Sequence, residues 1–257
     1  MAAVTLDLWH TLIYLPPEDE EAYMAHQLAM GRDVLVHSKR LPGAPELSEE
    51  ELGQAFERAY TDAVAESTRG KSVTPAQQLS RAARETGRVP APEEYLRRLK
   101  EEIDRTRFQR APGALELLAT LRDRRYRIGV ISNTVGEPGA FLRPMLTRMG
   151  FDPFVETYVF SDEQPWTKPD PAIFRYALSR LEEEAPQAVH VGDGWSDLEG
   201  ARRAGYRGVV LFTGLHEYGD SYRKLFLLDD PGEPAAPYRA DRLEDVAPLV
   251  EKLLSER

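Results

Sequence analysis

The chain has no cysteine, which excludes disulfides and thiolate-held metal sites together. It has no apolar run approaching the roughly 20 residues that a membrane-spanning helix needs. It has no excess of basic residues: 33 Lys and Arg stand against 43 Asp and Glu, a net charge of −10. Without a concentrated basic patch it is a poor candidate for binding nucleic acid. The basic start and apolar core of a secretory leader are also missing, since Val4 to Leu8 read directly as a strand. Internal repeats and low-complexity tracts are absent, which argues against a solenoid. These absences lead us to expect a soluble cytoplasmic protein, monomeric or homodimeric, with neither nucleic acid nor membrane as a partner. Its 257 residues suffice for one large domain, or a core with a smaller unit attached.

What is present is a rhythm. From about residue 111 to 212 apolar strand-like runs alternate with helical patterns, which indicates a parallel sheet with crossover helices. Helices are expected over Ala111–Tyr126, Phe141–Met149, Pro171–Leu181 and Ser196–Ala204. Strands are expected at Ile128, Thr157–Ser161, Val189 and Val209–Phe212, and Val4–Leu6 joins the same sheet. The segment 214–240 reads as a long loop with a short helix near Tyr222–Leu227, and Leu243–Leu254 reads as an amphipathic helix.

Residues 16–108 break this rhythm with helix signals and almost no strand signal. Ser48 and Glu51 form a capping-box pattern, and Thr74, Pro75 and Gln77 repeat it with proline at the first helical position. With Glu20–Ser38 and a helix from Pro92 to about Arg107, four helices are expected. An independent helical domain would read the same way.

Four short segments carry the chemistry. Val4-Thr5-Leu6-Asp7 is an apolar run ending in an aspartate, with Trp9 two residues on. Ile128-Gly129-Val130-Ile131-Ser132-Asn133 is a second apolar run, ending in hydroxyl and amide side chains. Thr167-Lys168-Pro169-Asp170-Pro171 sets a lysine before a proline-marked helix start. Val189-His190-Val191-Gly192-Asp193 is a third apolar run, with Asp197 four residues beyond it. Aspartates at the carboxyl ends of parallel strands face the crevice where α/β sheets bind ligands. Each segment also has an ordinary reading. Asp and Asn shape turns, Asp197 could cap the following helix, and Lys168 could be a surface lysine.

Taken in order, the four segments resemble the haloacid dehalogenase (HAD) superfamily of hydrolases, in its C1-capped branch. The resemblance implies a Rossmann-like parallel sheet formed by residues 1–15 and 109–257. It implies that residues 16–108 are a four-helix cap inserted after the first strand. It further implies a Mg²⁺-dependent phosphatase that forms an aspartyl-phosphate on a small phosphorylated metabolite. In that scheme Asp7 is the nucleophile. Asp7, Asp193 and the backbone carbonyl of Trp9 bind the metal, and Asp197 binds it or its waters. Ser132 and Lys168 hold the transferred group, and Asn133 adds a donor.

Trp9 departs from the pattern. Phosphatases of this family place there an aspartate that protonates the leaving oxygen, and an indole cannot exchange that proton at neutral pH. Loss of a positioned acid costs about 10²–10⁴ in rate, or about 3–5 kcal/mol. Adjacent His10 is a possible substitute, although neighbouring side chains on extended backbone diverge. Trp9 is also open to a packing or substrate-stacking role. Two alternatives therefore stand beside the phosphatase: a 2-haloacid dehalogenase-like enzyme, whose halide leaves without a proton, and an impaired member that binds a phospho-ligand or a protein. Trp166 and Trp195 flank the lysine and aspartate segments and are weaker candidates for the same crevice.

Overall fold

The computed structural model describes residues 2–215, 236 and 238–255. β1 (Ala3–Leu6) leads through β2 (Ile13–Tyr14) into helices α1 (Pro17–His37), α2 (Glu49–Thr68), α3 (Pro75–Glu85) and α4 (Pro92–Arg105). The chain then returns through β3 (Gln109–Arg110). Next come α5 (Ala114–Asp123), β4 (Arg127–Ser132), α6 (Gly139–Arg148), β5 (Thr157–Phe160) and α7 (Pro171–Arg180). They are followed by β6 (Ala188–Gly192), α8 (Trp195–Ala204), β7 (Gly208–Phe212), β8 (Arg239–Ala240) and α9 (Val246–Ser255).

Six strands form one parallel sheet in the order β5-β4-β1-β6-β7-β8. The chain is thus an α/β protein with the expected Rossmann-like sheet. β1 is wholly buried because helices cover both faces, so its sequence reads as a continuous apolar run. Val4, Leu6, Ile128 and Val130 meet Leu118 and Leu121 of α5, Leu142 and Leu146 of α6 and Val250 of α9. On the other face Ile131 and Val159 meet Ile173 and Phe174 of α7 and Ala201 of α8. Each fully buried Leu, Ile or Phe contributes about 1.5–3 kcal/mol, so these two layers hold the strand ends in place.

Sheet order decides where chemistry can occur. β1 lies centrally, with Leu6 in register with Val130 of β4 and Val191 of β6. Asp7, Ser132 and Asp193 therefore leave three adjacent strands at their carboxyl ends. Crossovers run to either side of β1, and that switch point is where open α/β sheets bind ligands.

The four expected helices are present, with both capping boxes formed at Ser48 and Thr74. They bury their own interior, which includes Val34, Leu35, Phe56, Leu79, Tyr95 and Leu99. Antiparallel pairing of Ile13 with Arg110 and of Tyr14 with Gln109 joins the two ends of this insertion. That pairing was not read from the sequence, because two-residue strands carry no periodicity.

Several boundaries differ from expectation. The helix expected over Ala111–Tyr126 shortens to α5, with Gly113 and Arg125 at positive φ on either side of it. Ser161 belongs to a 3₁₀ turn rather than to β5. Leu243–Asp245 is likewise a 3₁₀ turn ahead of α9. The expected loop 214–240 ends in the edge strand β8, and the expected helix near Tyr222–Leu227 lies outside the described residues.

Candidate active site

The strand ends bring the predicted residues together. Asp7 is 4 % exposed, Lys168 3 % and Ser132 fully buried. The Lys168 ammonium donates to Asp7 Oδ1 and, at 2.6 Å, to Asp197 Oδ1. Asp7, Asp193 and Asp197 each offer an oxygen, and these oxygens all lie within 4.8 Å of one another. Asp193 is the half-buried member.

Local backbone explains the convergence. The Asp7 N–H donates to the Val191 carbonyl at 2.8 Å, which extends the β1–β6 ladder by one residue and fixes the Asp7 side chain at the crevice. Thr11 Oγ1 lies 3.5 Å from Asp7 Oδ2. Asp197 sits in the first turn of α8 and accepts the Gly194 N–H at 3.3 Å. It therefore caps the helix and joins the cluster as well, combining both roles read from the sequence. A Cβ at Gly192 would come within 2.3 Å of Asp197 Cγ, so only glycine lets the strand end approach that carboxyl.

Asn133 is engaged on both sides with the Lys168 backbone. Its Nδ2 donates to the Lys168 carbonyl at 3.0 Å, and its Oδ1 accepts the Lys168 N–H at 2.8 Å. The amide thus ties the lysine loop to the end of β4. Ser132 Oγ makes one long contact, 3.4 Å to the Asn133 carbonyl.

The electrostatics follow from burial. The Asp7 carboxyl is pushed up to about 7, by burial first and by Asp197 and Asp193, against the downward pull of Lys168. Asp197 is buried too, but the Lys168 charge and the His190 bond outweigh burial and hold it near 2. Burial would depress the Lys168 ammonium, yet Asp197 and Asp7 raise it above its usual range.

Sequence reasoning missed a supporting layer. His190 of β6 meets Asp197 Oδ1 through Nε2 at 3.0 Å and Thr5 Oγ1 through Nδ1 at 2.8 Å. Thr5 in turn lies 3.3 Å from the Tyr206 hydroxyl. Burial lowers the His190 pKa. The alternation of β6 points His190 away from the Val189 and Val191 face, and that was the one available signal.

Trp9 lies beside the cluster. Its ring meets Phe108 edge-on, with centroids 5.4 Å apart. Its Nε1 is buried and has no acceptor. His10 follows in the left-handed region at φ 54, held by its N–H donating to the Ile13 carbonyl at 2.8 Å. His10 Nε2 meets Glu20 Oε1 at 3.0 Å, and His10 Nδ1 lies 4.0 Å from Asp193 Oδ2. Burial disfavours a charged His10, but the Glu20 bond and Asp193 prevail and raise its pKa. Trp166 instead packs against Tyr176 on the α7 side of the sheet.

Known proteins share both the sequence pattern and the architecture. A plasmid phosphoglycolate phosphatase of Cupriavidus necator is 34% identical over 144 residues, covering 56% of this chain and 55% of that one. The chain spans about half the length of the curated relatives it matches. A HAD phosphatase of Thermococcus onnurineus superposes with a TM-score of 0.62 at 21% identity, covering 97% of this chain and 98% of that one. A 2-haloacid dehalogenase of Pseudomonas syringae pv. tomato reaches 0.61 at 21%, covering 98% and 99%. The fold is therefore common to both chemistries that the sequence left open. The model of haloacid dehalogenase-like hydrolases matches residues 1–205, and the chain belongs to that family.

Proposed function

We propose that the protein is a Mg²⁺-dependent phosphohydrolase that acts on a small phosphorylated metabolite through an aspartyl-phosphate on Asp7. The observation that carries this reading is the carboxylate cluster, with three oxygens within 4.8 Å of one another beside the Lys168 ammonium. Hard oxygen donors converging in this way suit Mg²⁺. Asp7, Asp193 and Asp197 would hold the ion with the Trp9 carbonyl, and the bound ion supplies charge neutralisation between the phosphate and the attacking carboxylate.

The remaining roles belong to the chain. An Asp7 oxygen attacks phosphorus, and the bond from phosphorus to the leaving oxygen breaks. Lys168 and the Ser132 hydroxyl hold the transferred phosphoryl oxygens, and Asn133 keeps Lys168 in position. Water then attacks the phosphorus of the aspartyl-phosphate, the bond from the Asp7 oxygen to phosphorus breaks, and the water's proton leaves with the released phosphate. Residues 16–108 serve as a cap over the crevice, and 1–15 with 109–257 form the core.

Trp9 leaves the leaving oxygen without an aspartate proton donor. The substrates that suit this site are esters whose leaving groups need little protonation. Trp9 alone would also suit a dehalogenase, but three converging carboxylates would repel a 2-haloacid. The deciding assay measures phosphate release from acetyl phosphate and halide release from 2-chloropropionate, each with and without Mg²⁺, in the wild type and in Asp7→Asn. Metal-dependent phosphate release that vanishes in a folded Asp7→Asn protein is expected. Metal-independent halide release would overturn the reading. Stabilisation by vanadate with no turnover of any ester would point to a phospho-ligand binder.

A further inference from the structure

A small cavity lies against His10, whose Nε2 meets Glu20 at 3.0 Å and whose Nδ1 lies 4.0 Å from Asp193. Its volume is about 20 Å³, and its walls include Trp9, His10, Glu20, Tyr23, Phe108 and Glu137. These residues come from the turn after β1, from α1, from the segment before β3 and from the loop after β4. The insertion and the sheet therefore both contribute to it.

Its chemistry is lopsided. Glu20 and Glu137 are 5 % and 3 % exposed. Glu137 Oε1 accepts from Gln27 Nε2 at 2.9 Å. Glu20 spends one oxygen on His10, while its other oxygen, Oε2, is buried with no donor at all. The imidazole is shared, since it also faces Asp193 at 4.0 Å. One imidazole is thus divided between two carboxyl groups, and Glu20 Oε2 is left without a donor. Three aromatic rings complete the wall, with Tyr23 and Trp9 each edge-on to Phe108 at 5.4 Å.

An acceptor-only oxygen buried without a donor is costly, and a ligand that brings a cation removes the cost. Aromatic walls add cation–π attraction. The volume is about that of one water, so a primary ammonium fits and a trimethylammonium does not. The unpaired Trp9 N–H asks in addition for an acceptor on the same ligand, which the ester oxygen of a short chain could provide.

We propose that this cavity seats the primary ammonium of a short aminoalkyl phosphate, so that Glu20, with Glu137, selects a cationic leaving group; this rests on the phosphohydrolase reading above. The ammonium withdraws electrons from the leaving oxygen only weakly through two carbons, so the departing oxygen takes its proton from solvent water in place of the donor that Trp9 does not supply. Phosphoglycolate would instead turn a carboxylate toward Glu20 and Glu137, and like charges brought together in this way are disfavoured.

The test compares O-phosphoethanolamine, 2-hydroxyethyl phosphate, phosphocholine and phosphoglycolate with Mg²⁺ present, in the wild type and in Glu20→Gln. In the wild type kcat/KM should be about tenfold or more higher for phosphoethanolamine than for the hydroxyethyl ester, with phosphocholine and phosphoglycolate below both. Intrinsic leaving-group reactivity cancels when each variant's ratio is compared, and Glu20→Gln should bring that ratio down about tenfold. A ratio unchanged in a folded Glu20→Gln protein, or a wild-type preference for phosphoglycolate, overturns the proposal. Should Glu20→Gln fail to fold, the wild-type order of the four esters decides. If no ester is hydrolysed, the phosphohydrolase reading fails separately, and calorimetric titration with phosphoethanolamine and the hydroxyethyl ester decides the cavity. Equal affinity for the two would then refute it, and tighter binding of the amine would support it.

Discussion

Lys168 bridges two carboxylates, with its ammonium donating to Asp7 Oδ1 and, at 2.6 Å, to Asp197 Oδ1. All three groups are buried, so each depends on the others for neutralisation. Lys168→Met should cost about 3–5 kcal/mol, because it strands two desolvated carboxylates rather than merely deleting a contact. Divalent cation should then raise the melting temperature of the variant more than that of the wild type. Urea melts with and without Mg²⁺ check both statements. A loss under about 1 kcal/mol would mean that the pair is not the main source of neutralisation.

Asp193 gives the cluster its more open oxygen. Asp193→Ala should weaken Mg²⁺ binding by about tenfold or more while leaving the sheet intact, since removing one carboxylate from a hard-cation site removes both charge and a donor. Titration calorimetry on both proteins measures it, and equal affinities would remove Asp193 from the metal site.

Trp9→Asp places a carboxylate where the family's phosphatases carry their proton donor. The rate should rise most for alkyl phosphates of high leaving-group pKa and least for p-nitrophenyl phosphate, which needs no proton. The gain should fall short of the full range of about 10²–10⁴, because a side chain set in a space shaped by indole and Phe108 can miss the leaving oxygen by about 1 Å. A leaving-group series of kcat/KM values, with folding checked by melt, gives the slope. An unchanged slope would make Trp9 a packing or substrate-stacking residue.

Glu137 carries a pH signature. Burial raises its pKa from 4.5 to about 7, and the Gln27 bond only partly opposes this. Between those values the folded protein binds a proton that the unfolded chain has released, so this residue's contribution to stability falls as pH rises from about 4.5 to 7. Glu137→Gln keeps an oxygen for Gln27 and removes the titration. Relative to wild type it should gain up to about 2–3 kcal/mol between pH 4 and pH 8. Denaturant melts at the two values measure the difference, and a difference independent of pH would show that Glu137 is ionised alike in both states.

The sheet was legible because buried parallel strands must be largely apolar on both faces, and β1, β4 and β6 are, apart from Thr5 and His190. The polar residues that end them stood out against those runs, so Asp7, Ser132 and Asp193 were readable as neighbours before any geometry was known. Lys168 and Asp197 were readable through spacing from helix starts. His190 was not, because one polar residue within an apolar strand looks like an isolated exception until Thr5 and Asp197 are placed beside it. Glu20 and Glu137 were hidden for another reason. They are 117 residues apart and meet only because α1 packs back over the loop after β4. Glu20 also looks like an ordinary acidic residue in a helix's first turn, where it would suit the dipole.

The pairing of β2 with β3 has a consequence for how the chain assembles. β1 is made first, yet its partners β4 and β6 begin at residues 127 and 188. Closing a loop of that size through free chain costs entropy that grows with its length. The four helices have an interior of their own, and β2 and β3 hold their two ends side by side. Once they condense, the path from β1 to β4 shrinks to residues 7–12 ahead of that clasp and 111–126, with α5, after it. β1 can then wait during synthesis at little entropic disadvantage, tethered next to the place where its neighbour will arrive.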